Sequence, residues 1–183
     1  IDSTKEKYIA ETKKRDIVLQ KTSDWELPEM LNFGGNYAEL KTKKSAMQPF
    51  YYDNKWKTEE AFIKFLEKSD QIEWWFKNGD RDATFFAVPY IENDEQKPFY
   101  VDFIVRFKNG SLGLFDTKSG NTIKDSREKS DGLQDYLKKH KEILGGIVAN
   151  TNSKDFSGRW MCYKGKGIEL NPDDFSNWEL LEI

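Results

Sequence analysis

The chain has 183 residues, 37% hydrophobic and 33% charged, with a formal net charge of −3 at pH 7; that is one domain with enough chain to bury a core. A single cysteine, Cys162, and a single histidine, His140, exclude a Cys/His zinc site and an internal disulfide. The one imidazole lies in the lysine-rich run YLKKHKEIL, which leaves a serine or cysteine hydrolase without a base, and no apolar run approaches the ~20 residues of a membrane span. Net negative charge is unusual for a free-standing DNA binder, so a role on DNA would draw on a local basic face or on another part of a larger protein.

Residues 1–24 carry lysines and glutamates with a weak helical period, and read as a peripheral helix or a linker. From Trp25 to Tyr52 the chain is aromatic and punctuated by Pro28, Gly34-Gly35 and Pro49, which predicts irregular or short-stranded structure. Its Lys41-Thr42-Lys43-Lys44 run is either a phosphate contact or a solvated loop. The run TEEAFIKFLEK, residues 58–68, predicts a helix with Thr58 as N-cap. Phe62, Ile63 and Leu66 lie three, four and seven residues from Glu59, so Glu59 shares the buried face and Glu60 is rotated off it. IEWWFKN follows, a short aromatic strand with Trp74 and Trp75 on opposite faces. Residues 83–90 predict a strand ending at Pro89, and residues 92–97 a polar turn.

The centre of the chain is FYVDFIVRFKNGSLGLFDTKSG. Residues 99–107 and 111–118 read as two strands, with Lys108-Asn109-Gly110 as the turn. Asp102, Asp116 and Lys118 interrupt an otherwise apolar hairpin, and a charge there costs several kcal/mol unless it is paired or holds a metal. Asp116 and Lys118 share a face because strand side chains alternate. A three-residue loop with Gly110 left-handed sets Asp102 opposite Asp116; a two-residue Asn109-Gly110 turn sets it opposite Thr117. In the first case two carboxylates and an ammonium converge, an arrangement suited to Mg2+, which takes one or two carboxylates plus waters and phosphate oxygens. After a polar loop, a helix is expected from about 126 to 144, weakened at Gly132 and broken by Gly145-Gly146. Residues 147–150, 159–163 and 178–183 then read as short strands.

An acid on one strand and Asp116-Thr117-Lys118 on the next resemble the PD-(D/E)xK nuclease superfamily. KKSAMQPFYY, EEAFIKFLEKSDQIEWWFKNGD, YVDFIVRFKNGSLGLFDTKSG and GGIVAN, spanning residues 43–150, resemble in particular the endonuclease domain that follows the motor in type III restriction subunits. Val101 stands where the name-giving proline would be, and Asp116 replaces the commoner glutamate. The resemblance implies a restriction-endonuclease-like α/β core over about residues 43–165, a mixed β-sheet flanked by helices in the order α-β-β-β-α-β. It implies an Mg2+ ion, with Mn2+ as a substitute, held by Asp102, Asp116 and the main-chain carbonyl of Thr117, with Lys118 stabilising charge. An acid on the first helix joins such sites, which points to Glu59 as a further metal residue, positioning a metal-bound water or a second ion, with Glu60 as the alternative, and Gln134 of the second helix is a possible accessory.

The expected function is therefore a magnesium-dependent DNA endonuclease domain of a cytoplasmic restriction or defence protein. The chain has no GxxxxGK[ST] loop and begins at Ile1, so it is expected to be a fragment of a protein carrying a helicase-type ATPase domain, with a methyltransferase subunit as a possible partner. The alternatives are a non-catalytic DNA- or subunit-binding module of the same fold, and a nuclease for RNA or single strands.

Overall fold

The structure, a computed structural model, describes residues 25–53, 55–81 and 84–183; the helix or linker expected over 1–24 lies outside them. A two-stranded arm, β1 (Ala38–Glu39) and β2 (Tyr51–Tyr52), precedes helix α1 (Lys57–Lys68) and strand β3 (Ile72–Lys77). A hairpin follows, β4 (Val88–Glu92) and β5 (Glu95–Phe99), then β6 (Phe103–Phe107) and β7 (Leu112–Thr117). A 3-10 helix (Gly120–Ser126) runs into α2 (Arg127–Lys139), and the chain closes with β8 (Ile143–Asn150), β9 (Trp160–Tyr163) and β10 (Glu179–Leu180). Among the described residues, no helix is long and apolar enough to cross a membrane.

The architecture is mixed α/β. Six strands form one mixed sheet in the order β10-β9-β8-β7-β6-β3, with β7 and β8 parallel and the other pairs antiparallel. Strand alternation divides the core between its two faces. Phe103, Val105 and Phe115 pack with Phe62, Ile63 and Leu66 of α1, whereas Ile104, Leu114 and Ile147 pack with Leu133 and Leu137 of α2. Burying each such large apolar side chain contributes about 1.5–3 kcal/mol, so the sheet sandwiched between the two helices is the stable frame. Trp74 and Trp75 do face opposite ways: Trp75 is wholly buried on the α1 side and Trp74 packs against the α2 side.

The turn of the central hairpin decides its register. Gly110 has φ +90° and closes a three-residue loop, with Phe107 N donating to Ser111 O at 3.0 Å. Phe103 then pairs with Phe115 and Arg106 with Leu112, and the same register carried one residue further sets Asp102 opposite Asp116.

Several expectations need correction. The strand expected over 83–90 begins at Val88 and passes through Pro89, which pairs with Pro98 in the isolated β4–β5 hairpin; a proline is tolerated there because the hairpin has no third strand. The stretch expected to be a polar turn is the rest of this hairpin, and its two turn residues Asn93 and Asp94 have φ +52° and +60°, the left-handed pair that a tight hairpin demands. The strand expected over 99–107 is divided, since Phe99 ends β5 and β6 starts at Phe103. Helix α1 starts at Lys57 with Trp56 as N-cap, and the Thr58 hydroxyl donates instead to Ser119 Oγ at 2.9 Å. Helix α2 ends at Lys139, not near 144. Gly145 and Gly146 do not break a helix but lie inside β8, where a Cβ on either would collide with a carbonyl oxygen of the adjoining strand, Leu114 O or Tyr163 O. Gly132 does mark a close approach, because a Cβ there would sit 2.5 Å from Tyr90 Cβ and 2.7 Å from Pro89 O.

Candidate active site

At the end of the sheet where β3 and β7 finish and β6 begins, Glu59, Lys77, Asp102, Asp116, Thr117 and Lys118 line one cleft of about 1360 Å³. Its walls come from the β1–β2 arm, the β4–β5 hairpin and the loop after β8.

Asp102 is positioned by a local failure of strand pairing. Continued past Phe103 and Phe115, the ladder would set Val101 against Thr117. Val101 O instead accepts from Asn78 Nδ2 at 2.9 Å, and Thr117 N donates to Asp102 Oδ2 at 2.8 Å. Thr117 Oγ1 adds a second bond to the same oxygen at 2.6 Å. Asn78 fixes this departure: it is buried, its N–H donates to Asp102 O at 2.9 Å, and its amide also bonds Phe86 N and O.

The charges are neutralised in pairs. Lys118 Nζ makes a close ion pair with Asp116 Oδ2 and reaches Thr117 O at 3.3 Å. Lys77 Nζ lies 3.3 Å from Glu59 Oε2, 3.5 Å from Asp102 Oδ1 and 3.2 Å from Asn78 O, and 5.4 Å from the centre of the Phe103 ring. Burial and then the neighbouring Asp102 carboxylate push Asp116 up to about 7. Burial likewise lifts Glu59 to about 7, against the pull of Lys77. Burial also opposes ionisation of Asp102, but the Lys77 and Lys118 ammonium groups and the Thr117 bonds outweigh it and hold Asp102 below its ordinary value. Both lysines are held above theirs: desolvation works against their charge, and the carboxylates facing them overcome it. Two acids poised near neutrality beside one firmly ionised acid form an electrostatic pattern common at functional sites.

Of the two candidate acids on α1, Glu59 faces the cleft. Glu60 is turned away, bonded to Lys64 at 2.7 Å with Lys57 at 3.5 Å, and its hydrogen bond to Lys64 draws its pKa down. Gln134 does not line the cleft; Lys129, a little over one turn earlier on α2, does. The Lys41–Lys44 run is a brace in part: the Lys43 and Lys44 N–H groups donate to the Glu67 carboxylate at 2.8 and 3.0 Å. The sequence reading missed Lys77, Asn78 and Lys129. Strand parity offered a signal for Lys77, the lone cation in IEWWFK on the same face as buried Trp75.

Among the described residues, no three acidic, histidine or cysteine side chains are gathered tightly enough to hold a metal ion unaided. The donor chemistry nevertheless fits a hard divalent cation: Asp102 and Asp116 are neighbouring carboxylates whose mutual repulsion raises one of them, and the Thr117 carbonyl lies against the same lysine that pairs Asp116.

These features define a mixed α/β protein with a partly buried carboxylate–lysine cluster at the end of its central sheet. The matching family model covers residues 39–164, which include every residue of that cluster, and the chain belongs to the YagJ family. Comparisons with curated proteins and with solved structures return no match.

Proposed function

We propose that the chain is a magnesium-dependent DNA endonuclease domain of the PD-(D/E)xK kind, with a restriction-endonuclease-like core. The observation that carries the reading is the convergence of Asp102, Asp116 and Lys118 in one cleft with Glu59. The element order supports it: with the β4–β5 hairpin set aside, α1, β3, β6, β7, α2 and β8 follow one another as helix, three strands, helix and strand.

In this reading Asp102, Asp116 and the Thr117 carbonyl hold the ion, and Mn2+ substitutes for Mg2+. Bound there, the ion supplies Lewis-acid chemistry at a phosphodiester and makes water a better nucleophile near neutral pH. Lys118 directs its ammonium at the charge that develops on the phosphate. Glu59, lifted to about 7, suits the acceptance of a proton at neutral pH. Thr117 fixes the Asp102 carboxylate through two hydrogen bonds, so that little reorganisation is needed when substrate arrives. The proposed setting is a cytoplasmic, type III-like restriction or defence protein, with a helicase-type ATPase domain in the same full-length chain and a methyltransferase subunit as partner.

A second reading has its own observation. Glu59, Asp102 and Asp116 each have an ammonium partner, as a non-catalytic DNA- or subunit-binding module would require. Lys118→Ala separates the two. Loss of a preorganised donor lowers a cleavage rate ~100–1,000-fold, whereas one phosphate contact among many contributes little to DNA affinity. A normal rate with lost DNA affinity would make Lys118 a grip and the hairpin a binding surface.

A further inference from the structure

Lys77 plays no part in the chemistry just described, yet its ammonium is paired with two carboxylates of the cleft, whereas Lys118 is paired with one. Its ammonium lies between two carboxylates, Glu59 at 3.3 Å and Asp102 at 3.5 Å, reaches Asn78 O at 3.2 Å, and is packed over the Phe103 ring. Its stem belongs to β3, whose pairing of Lys77 with Phe103 fixes the ammonium beside the start of β6. Resting on the endonuclease reading, we infer that Lys77 stands where a second metal ion would sit, so that the site takes one divalent cation and Glu59 is not among its ligands.

The geometry divides the acids into two pairs. Asp102 Oδ2 is committed to Thr117, and Oδ1 faces Lys77, which also holds Glu59. An ion between Glu59 and Asp102 would have to displace a partly buried ammonium from both of its carboxylates at once, and an ammonium stripped of its counter-charges away from bulk water is costly. The other gap, bounded by Asp116, the Asp102 carboxylate and Thr117 O, is closed by Lys118, which is ion-paired with Asp116 alone and lines the cleft. Charge balance agrees. With Glu59, Asp102 and Asp116 all ionised, three carboxylates against two ammonium groups leave one negative charge; one divalent cation together with one phosphodiester returns the cluster to neutrality. A second divalent cation would leave it dipositive in a largely buried setting, where like charges are least screened.

The test counts ions, not turnovers. Mn2+ titrated into the apo chain and followed by electron paramagnetic resonance should saturate at one ion per chain, with no Mn–Mn dipolar coupling. Lys77→Met, which removes the ammonium but keeps the stem over Phe103, should take up a second ion coupled to the first. Glu59→Gln should keep the single ion with affinity within about threefold of wild type, and serves if Lys77→Met does not fold; a loss of about tenfold or more would make Glu59 a ligand and overturn the inference. Two coupled ions in the wild type, or one ion in folded Lys77→Met, would also overturn it while leaving the endonuclease reading intact. No bound Mn2+ in the wild type would remove the metal-dependent reading itself, and this inference with it.

Discussion

The carboxylate of Asp102 receives both the N–H and the hydroxyl of Thr117, at 2.8 and 2.6 Å, in place of the strand carbonyl that Val101 has turned toward Asn78. An interrupted β-ladder thus becomes the anchor of a cleft carboxylate. The interruption is held open by Asn78, which satisfies Phe86 N and O, Val101 O and Asp102 O. Asn78→Ala should cost about 1–3 kcal/mol for each buried group left without a partner, read as a lower denaturation midpoint at unchanged m-value. Substitution of exposed Asn109, whose side chain bonds only within its own turn, should cost well under 1 kcal/mol.

Metal-free stability should depend on pH in a definite direction. Glu59 and Asp116 are raised from 4.5 and 3.8 to about 7, so the folded state holds protons that the unfolded chain has already released. Folding is therefore favoured on the acid side, and stability falls as pH rises from about 5 through 7, levelling off above about 8. Asp102, shifted downward, contributes its stabilisation above its unfolded pKa and is already ionised across this window. Thermal unfolding in chelator from pH 5 to 8 should show the decline, and Asp116→Asn should make it shallower. A melting temperature that rises across this range would contradict the electrostatic account.

Much of this cluster is legible in the amino-acid sequence. Gly110 after Asn109 permitted the loop that sets Asp102 opposite Asp116, and the three-to-four residue spacing of Phe62, Ile63 and Leu66 set Glu59 inward. Lys77 and Asn78 were not, because their roles depend on pairing with a strand that arrives some 25 residues later. Pro89 misled because proline ends most strands, and nothing local reveals that its hairpin stands apart from the sheet. Leu144 misled because it continues the helical period of Leu133, Tyr136, Leu137 and His140; it is in fact an exposed residue of β8, and the glycines after it serve close strand contact.

The packing of α2 on the hairpin supplies a test independent of chemistry. Gly132 has room for no side chain, since an added Cβ would meet the Pro89 carbonyl at 2.7 Å, and backbone cannot step aside as a flexible side chain does. Gly132→Ala should destabilise by about 1–3 kcal/mol through overpacking, although alanine is the better helix former by about 1 kcal/mol. A gain in stability would show that α2 and β4 are less tightly apposed than described.

Mg2+ should stabilise the isolated chain by mass action. For a site of about 1 mM dissociation constant, 10 mM Mg2+ should raise the melting temperature by roughly 3–6 °C. Asp116→Asn should remove that rise and leave the fold intact, because the change takes away a charge that Asp102 opposes while the amide oxygen can still accept from Lys118. An undiminished response in Asp116→Asn would locate the ion elsewhere.

The central claim is phosphodiester hydrolysis at the Asp102–Asp116–Lys118 cluster, and the most direct measurement is cleavage of duplex and single-stranded DNA by wild type and Asp116→Asn, with Mg2+ or with chelator, each chain tested alone and joined to a helicase-type motor domain. We expect cleavage by the wild type that requires Mg2+ and falls at least about 100-fold in Asp116→Asn. Cleavage that persists in chelator, or that Asp116→Asn performs at the wild-type rate, would contradict the account; DNA binding without cleavage under every condition would assign the cluster to the non-catalytic module instead.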